Sequence, residues 1–250
     1  MNDTATTEPA APDRIESARI ALAAFDVAGT TVEEGGAVYR ALHDAVRRHG
    51  STADVADVAR WMGADKRTAI RALLALGGDP SAVEPAFADF ERLLREAYDA
   101  TPPVAMPGVL DTFADLRARG ARIALTTGFS ADVTGLLLDR LGWTEGVVDA
   151  VVTTDDVPAG RPAPFMVHRA MERTGVADVA RVLTVGDTVL DLEAGTNAGA
   201  ALVVGVLSGG VPRAVLEAAP HTHLLDSVAD LPAVLEGAAT PSPLSHAASR

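Results

Sequence analysis

Six residues of this chain carry side chains suited to one reaction, and most of them sit where apolar runs stop. Asp26 ends RIALAAF, Thr127 closes the run from Ala121, Arg161 lies in DDVPAGRP after the run Val147 to Thr153, and Asp187 and Asp191 follow the run Arg181 to Val185. If these runs are strands of one parallel sheet, the residues meet on a single rim, because such a sheet binds ligands at the carboxyl ends of its strands. Three carboxylates that converge in a partly buried place without cations between them need neutralisation, and an all-oxygen set suits a hard cation such as magnesium. Asp26, Asp187 and Asp191 fit that role. The hydroxyl of Thr127 and the planar fork of Arg161 suit the oxygens of a phosphoryl group held against the metal. The composite predicts phosphoryl transfer. Singly, each has a plainer reading: a strand-end aspartate is often a helix cap, and an arginine is often a surface cation.

The sixth residue is Lys66. Of the 21 lysines and arginines, it alone is lysine. A coding bias toward arginine would convert any lysine that serves only as surface charge. An amine differs from a guanidinium in that its pKa can fall far enough to make it a nucleophile. Chance survival is the plain alternative, so the residue directs attention to its neighbours Met62 and Gly63.

The elements that must position these groups are legible as a repeated pattern. Apolar runs at Arg19 to Phe25, Ala121 to Thr127, Val147 to Thr153, Arg181 to Val185 and Ala201 to Leu207 predict buried strands. They alternate with stretches of helical period such as Val109 to Arg119 and Phe165 to Thr174, the layout of a parallel sheet covered on both faces. From Ala37 to Ala100 only helical periodicity appears (Tyr39, Leu42, Val46; Ile70, Leu73, Leu74; Phe87, Phe90, Leu94), broken at His49-Gly50-Ser51 and Gly77-Gly78-Asp79-Pro80. The expected fold class is α/β: a Rossmann-like, doubly wound parallel sheet with a helical cap inserted after the first strand. Residues 18–36 and 104–236 are assigned to the core, 37–103 to the cap, and 1–17 and 237–250 to polar, Ala/Pro/Ser-rich tails.

Composition removes several classes of function. The chain has 250 residues and a net charge of -13, with 34 acids against 21 cations and no basic run, which argues against a nucleic-acid partner. No segment reaches the roughly 18–20 apolar residues of a membrane span, and the first residues lack a signal-peptide layout, so no membrane partner and a cytoplasmic location are expected. With no cysteine, disulfides, thiolate metal sites and cysteine nucleophiles are excluded. His221 and His223 alternate across a strand with no third ligand near, and read as a solvated strand end. Trp61 and Trp143 read as packing anchors, and Gly209-Gly210 as a turn.

The motifs DVAGTT (Asp26 to Thr31), TTG (Thr126 to Gly128), GRP (Gly160 to Pro162) and VGDTVLD (Val185 to Asp191) resemble the four motifs of the haloacid dehalogenase superfamily, a resemblance covering the chain apart from its tails. It implies a nucleophilic Asp26 that becomes an aspartyl-phosphate. It also implies magnesium held by Asp26, the main-chain carbonyl of Ala28 and Asp187, with Asp191 supporting the metal's water shell. Phosphatases of this superfamily carry an aspartate two positions after the nucleophile to protonate a leaving alkoxide. Here that position is Ala28, which has no proton to give. A leaving group that delocalises electrons into a protonated imine would not need that acid, and Lys66 could form the imine.

DxAGT, an arginine at the third motif, DDVPAGRP and the cap sequence MGxxK (Met62, Gly63, Lys66) together resemble the phosphonoacetaldehyde hydrolase, or phosphonatase, family. That resemblance implies a carbonyl phosphonate as the small-molecule substrate, contacts to it from Met62, Gly63, Gly128 and Phe129, and a homodimer through the cap. Three positions depart from the family: Ala69 for a histidine, Gly36 for a cysteine and Phe129 for a tyrosine. They bring the chain closer to the phosphonatase-like branch, which keeps the nucleophile, the arginine and the lysine. The rival readings are a phosphatase of a small phosphorylated metabolite, with Lys66 only binding substrate, and a binding protein on an inactive scaffold, against which the intact aspartates weigh.

Overall fold

Runs of Ala, Val, Leu and Ile with no polar alternation are stable as strands only when both sheet faces are covered. In the computed structural model, which describes residues 20–143 and 146–237, they form the middle of a parallel sheet. The strands in chain order are β1 (Leu22–Phe25), β2 (Val32–Glu33), β3 (Val104–Ala105), β4 (Arg122–Thr126), β5 (Ala150–Val152), β6 (Val182–Gly186), β7 (Leu202–Val206) and β8 (His223–Leu225). Six of them make one sheet in the order β5-β4-β1-β6-β7-β8, while β2 and β3 pair antiparallel as a separate small ladder. The first strand is thus central, with Phe25 beside both Leu125 and Val185.

Side chains alternate across this sheet as a strand requires. Leu22 and Ala124 pack with Met166, Val167 and Ala170 on one side. Ala23, Phe25, Ile123 and Leu125 face Phe113 and Leu116 on the other. Trp143 meets Phe113 edge-on at 5.8 Å, a packing anchor as its sequence context suggests.

Between β2 and β3 the chain forms α1 (Ala37–Arg48), α2 (Val55–Ala59), α3 (Lys66–Leu74) and α4 (Val83–Ala100). Leu42, Ile70, Leu73, Phe90 and Leu94, all on the apolar stripes read from the sequence, are fully buried among these helices. This is the helical cap after the first strand. The remaining helices are α5 (Val109–Ala118), α6 (Ala131–Leu141), α7 (Phe165–Thr174), α8 (Val189–Ala198), α9 (Arg213–Glu217) and α10 (Leu231–Gly237).

One element has no counterpart in the sequence expectations: the β2–β3 ladder spans two residues a side, too short for any period to register. β8 begins at His223, where the sequence reads a strand end. Gly237, assigned to the tail, instead closes α10. The assignments for 1–17 and 238–250 lie outside the described residues. Among those described, no helix is long and apolar enough to cross a membrane.

Candidate active site

Asp26 is the first residue past β1, and its N–H donates to the Val185 carbonyl at 2.8 Å, so the ladder with β6 extends far enough to fix it. Asp187 is the residue just past β6, at the same sheet edge. Asp191 is held in the first turn of α8 by a reciprocal cap: Thr188 donates to its Oδ2 from Oγ1 at 2.5 Å and from the main chain at 3.0 Å. One carboxylate oxygen from each of the three aspartates lies within 4.8 Å of the others, and all three residues are buried.

Arg161 stands inside this group. Its Nη2 is 2.7 Å from Asp26 Oδ1 and its Nη1 is 2.8 Å from Asp191 Oδ1. Nη2 also donates to the Thr126 carbonyl at 2.8 Å, which ties the fork to the end of β4. The expectation that the carboxylates meet with no cation between them is therefore corrected. Burial opposes the charge of Arg161, but Asp191 and Asp26 outweigh it and hold its pKa above the ordinary arginine value. Burial pushes Asp191 up to about 6 even against Arg161, and pushes Asp187 well above the usual carboxylate range, with Asp26 and Asp191 adding to it.

The surroundings of Asp187 suit a bound cation. Its Oδ1 accepts from Thr30 Oγ1 at 2.9 Å. A Cβ at Gly29 would lie 2.6 Å from its Oδ2, and one at Gly209 only 1.7 Å, so both glycines leave space around that oxygen that any side chain would fill. Three carboxyl groups face one guanidinium, and the donors are all oxygen. The residues fit a hard divalent ion.

Lys66 is the first residue of α3, capped by Asp65, whose side chain accepts from the Thr68 N–H at 2.8 Å. The lysine is only 2% exposed; its Nζ donates to the Ala64 carbonyl at 2.8 Å and lies 5.4 Å from the centre of the Phe129 ring. Burial lowers its pKa to about 8, with Asp26 and Asp65 pulling the other way. The amine reaches the sheet edge because cap and core touch through main chain: a Cβ at Gly128 would meet the carbonyls of Gly63 and Ala64 at 2.9 Å, and one at Gly63 would meet Thr188 Oγ1 at 2.6 Å. Gly63 has φ +76°, a conformation that also favours glycine. Asp26, Ala28, Gly63, Lys66, Thr127, Gly128, Phe129 and Arg161 line one cavity of about 20 Å³, room for a water but not for a phosphorylated molecule.

Residues 20–199 match the family model of the haloacid dehalogenase-like hydrolases. The chain belongs to this family. The hydrolase is 32% identical over 257 aligned positions to a phosphonoacetaldehyde hydrolase of Bordetella pertussis, across 87% of this chain and 91% of that one. A phosphonoacetaldehyde hydrolase of Parabacteroides distasonis is 33% identical over 178 positions, 62% of this chain and 66% of its own length. Among solved structures, a phosphonoacetaldehyde hydrolase-like protein from Oleispira antarctica superposes with a TM-score of 0.77 at 21% identity, covering 89% of this chain and 94% of that one. That last likeness bears on the fold.

Not every residue singled out in the sequence of this hydrolase lines the small cavity. Met62 lies on two neighbouring cavities instead. Ala69 is fully buried inside the cap, and Gly36 precedes α1 with φ +72°. Asp155 caps the start of α6, with Oδ2 accepting from the Ala131 N–H at 2.7 Å, and Asp156 pairs with Arg173. His221 Nδ1 lies 2.8 Å from the Ala219 carbonyl and takes no part in the acidic group. Four contributors escaped the sequence reading: Thr30, Thr188, Gly209 and Tyr39. Thr188 carried a signal, since Thr-x-x-Asp before an apolar run is a capping pattern.

Proposed function

We propose that this hydrolase cleaves the carbon–phosphorus bond of phosphonoacetaldehyde or a close carbonyl phosphonate, with magnesium, giving acetaldehyde and phosphate. The observation that carries the reading is the shared cavity of Asp26, Lys66 and Ala28: a carboxylate nucleophile, an amine of lowered pKa, and no acid two residues after the nucleophile. The similarity to the phosphonoacetaldehyde hydrolases of Bordetella and Parabacteroides supports it.

On this route the Lys66 amine adds to the substrate carbonyl carbon and water leaves, forming an iminium. Asp26 attacks phosphorus, and the carbon–phosphorus electron pair passes into the iminium to give an enamine and an aspartyl-phosphate. Water hydrolyses the aspartyl-phosphate to phosphate and frees Asp26. The enamine takes up a proton at carbon, and hydrolysis of the resulting iminium releases acetaldehyde and Lys66. Arg161 and Thr127 bear on the charge of the transferring group. Asp26, Asp187, the Ala28 carbonyl and, at one remove, Asp191 would hold magnesium, which supplies Lewis-acid stabilisation of phosphoryl oxygens. Residues 37–103 act as the cap that brings Lys66 over the core and excludes water.

The test is acetaldehyde and phosphate release from phosphonoacetaldehyde with magnesium, for wild type and Lys66→Arg, with and without borohydride. Wild type is expected to release both products and to be inactivated by borohydride only when substrate is present, and Lys66→Arg to be inert. A wild type that spares this substrate, hydrolyses phosphomonoesters and tolerates Lys66→Arg would overturn the reading in favour of a phosphatase.

A further inference from the structure

Tyr39, on α1, is common to three cavities. It lines the small one with Asp26, Lys66 and Thr127, a second of about 150 Å³ beside Asp187 and Gly209, and a third of about 310 Å³ between α1 and α2. Ala28, two positions after the nucleophile and without a functional group, lines the first two with it. Burial, with the nearby carboxylates of Asp187 and Asp26, holds the Tyr39 hydroxyl above its ordinary pKa. Such a group keeps its proton and serves as a neutral donor.

Two other hydroxyls reach the small cavity. Thr188 Oγ1 is spent on Asp191 at 2.5 Å. Thr127 Oγ1 accepts from the Phe129 N–H at 3.2 Å, which leaves its own proton for a ligand. Among the described residues, no acceptor takes the Tyr39 proton either. One donor thus comes from the core and one from the cap, and both line the cavity that Asp26 lines.

We propose that Tyr39 is a catalytic residue, donating its hydroxyl hydrogen bond to a phosphoryl oxygen of the substrate from the cap side, as Thr127 does from the core. The inference rests on the phosphoryl-transfer part of the function proposed above and is independent of whether Lys66 forms an imine. It assigns to the cap a direct contact with the phosphoryl group, so an occupied phosphoryl site favours the closed cap.

Calorimetric titration of inorganic phosphate into the magnesium-loaded protein, wild type against Tyr39→Phe, tests this. A second arm traps acetaldehyde on Lys66 with borohydride and reads the adduct by mass spectrometry. Phenylalanine keeps the ring and its packing. The expected result is phosphate affinity weakened by about tenfold to a hundredfold, the scale for a hydrogen bond to a charged acceptor, with trapping of phosphorus-free acetaldehyde unchanged. Equal phosphate affinity in the two proteins overturns the proposal. So does a parallel loss of phosphate affinity and trapping, which would mean that Tyr39 only supports the packing around the cavity. A wild type that binds no phosphate sinks the phosphoryl-transfer reading itself, and one that binds phosphate without trapping acetaldehyde sinks only the imine, with the titration still deciding Tyr39.

Discussion

Arg161 Nη2 lies 2.7 Å from Asp26 Oδ1, so the proposed nucleophile is held by the same guanidinium that reaches Asp191 through its other nitrogen. A lysine offers a point charge and cannot span both carboxylates. Arg161→Lys is expected to remain folded while kcat falls by about 10²-fold, the scale for losing one preorganised donor. Steady-state kinetics at saturating substrate, with circular dichroism as the folding control, checks this; an unchanged kcat would show the two-point contact to be dispensable.

Asp187 and Asp191 are carboxyls whose folded pKa values stand above the ordinary range. A group raised in the folded state binds more protons there than when unfolded, so the metal-free protein loses stability as pH rises from about 4 toward neutrality. Magnesium should reverse the loss. Asp187→Asn removes one charge while keeping an acceptor for Thr30, so its metal-free melting temperature at neutral pH is expected to exceed that of wild type by a few degrees, about 2–4 °C per kcal/mol for a chain of this size. Its melting temperature should no longer respond to magnesium. Melting curves in chelator and in magnesium across this pH range provide the check.

Gly209 carries a sharper prediction. Adding a Cβ there would place it 1.7 Å from Asp187 Oδ2 and 2.6 Å from Asp187 Cβ, too much of the side chain for a simple rotation to relieve. Gly209→Ala should therefore displace the carboxylate and weaken magnesium binding by an order of magnitude or more, roughly the loss seen when a ligand's support is removed. Magnesium titration by calorimetry reads it directly, and wild-type affinity in the variant would refute it.

Why Gly209 was missed while Asp187 was found is a matter of what each leaves in the sequence. Asp26, Thr127 and Asp187 stand at the ends of buried strands, and in a parallel sheet strand end and site edge are the same place. Arg161 was legible as a fork near one such end, though not its position between two aspartates. Gly209 follows β7 and reads as an ordinary turn; its role lies in the side chain it lacks, and the distance to Asp187 is a tertiary quantity. Tyr39 shares its helical stripe with Leu42 and Val46, so periodicity gives it the same apolar duty, whereas in the fold it lines the cavity with Asp26. The β2–β3 ladder was invisible because two residues a side cannot show a period.

The lowered pKa of Lys66 sets the pH dependence of its proposed chemistry. Below about 8 the amine is largely ammonium and cannot attack a carbonyl. The initial rate of substrate-dependent borohydride inactivation should fall about tenfold per pH unit below that value and level off above it. A rate flat from pH 6 to 9 would dissociate Lys66 from imine formation.

Because α3 begins at Lys66, the amine stands at the end of a helix where unpaired N–H groups gather partial positive charge. Its side chain bends back along the axis to the Ala64 carbonyl, keeping the nitrogen at that end. A cation there is disfavoured by about 0.3–1 kcal/mol. On the proposed route the iminium is cationic and the enamine that follows it is neutral. The helix thus adds a standing electrical bias in the direction in which the carbon–phosphorus electrons must move.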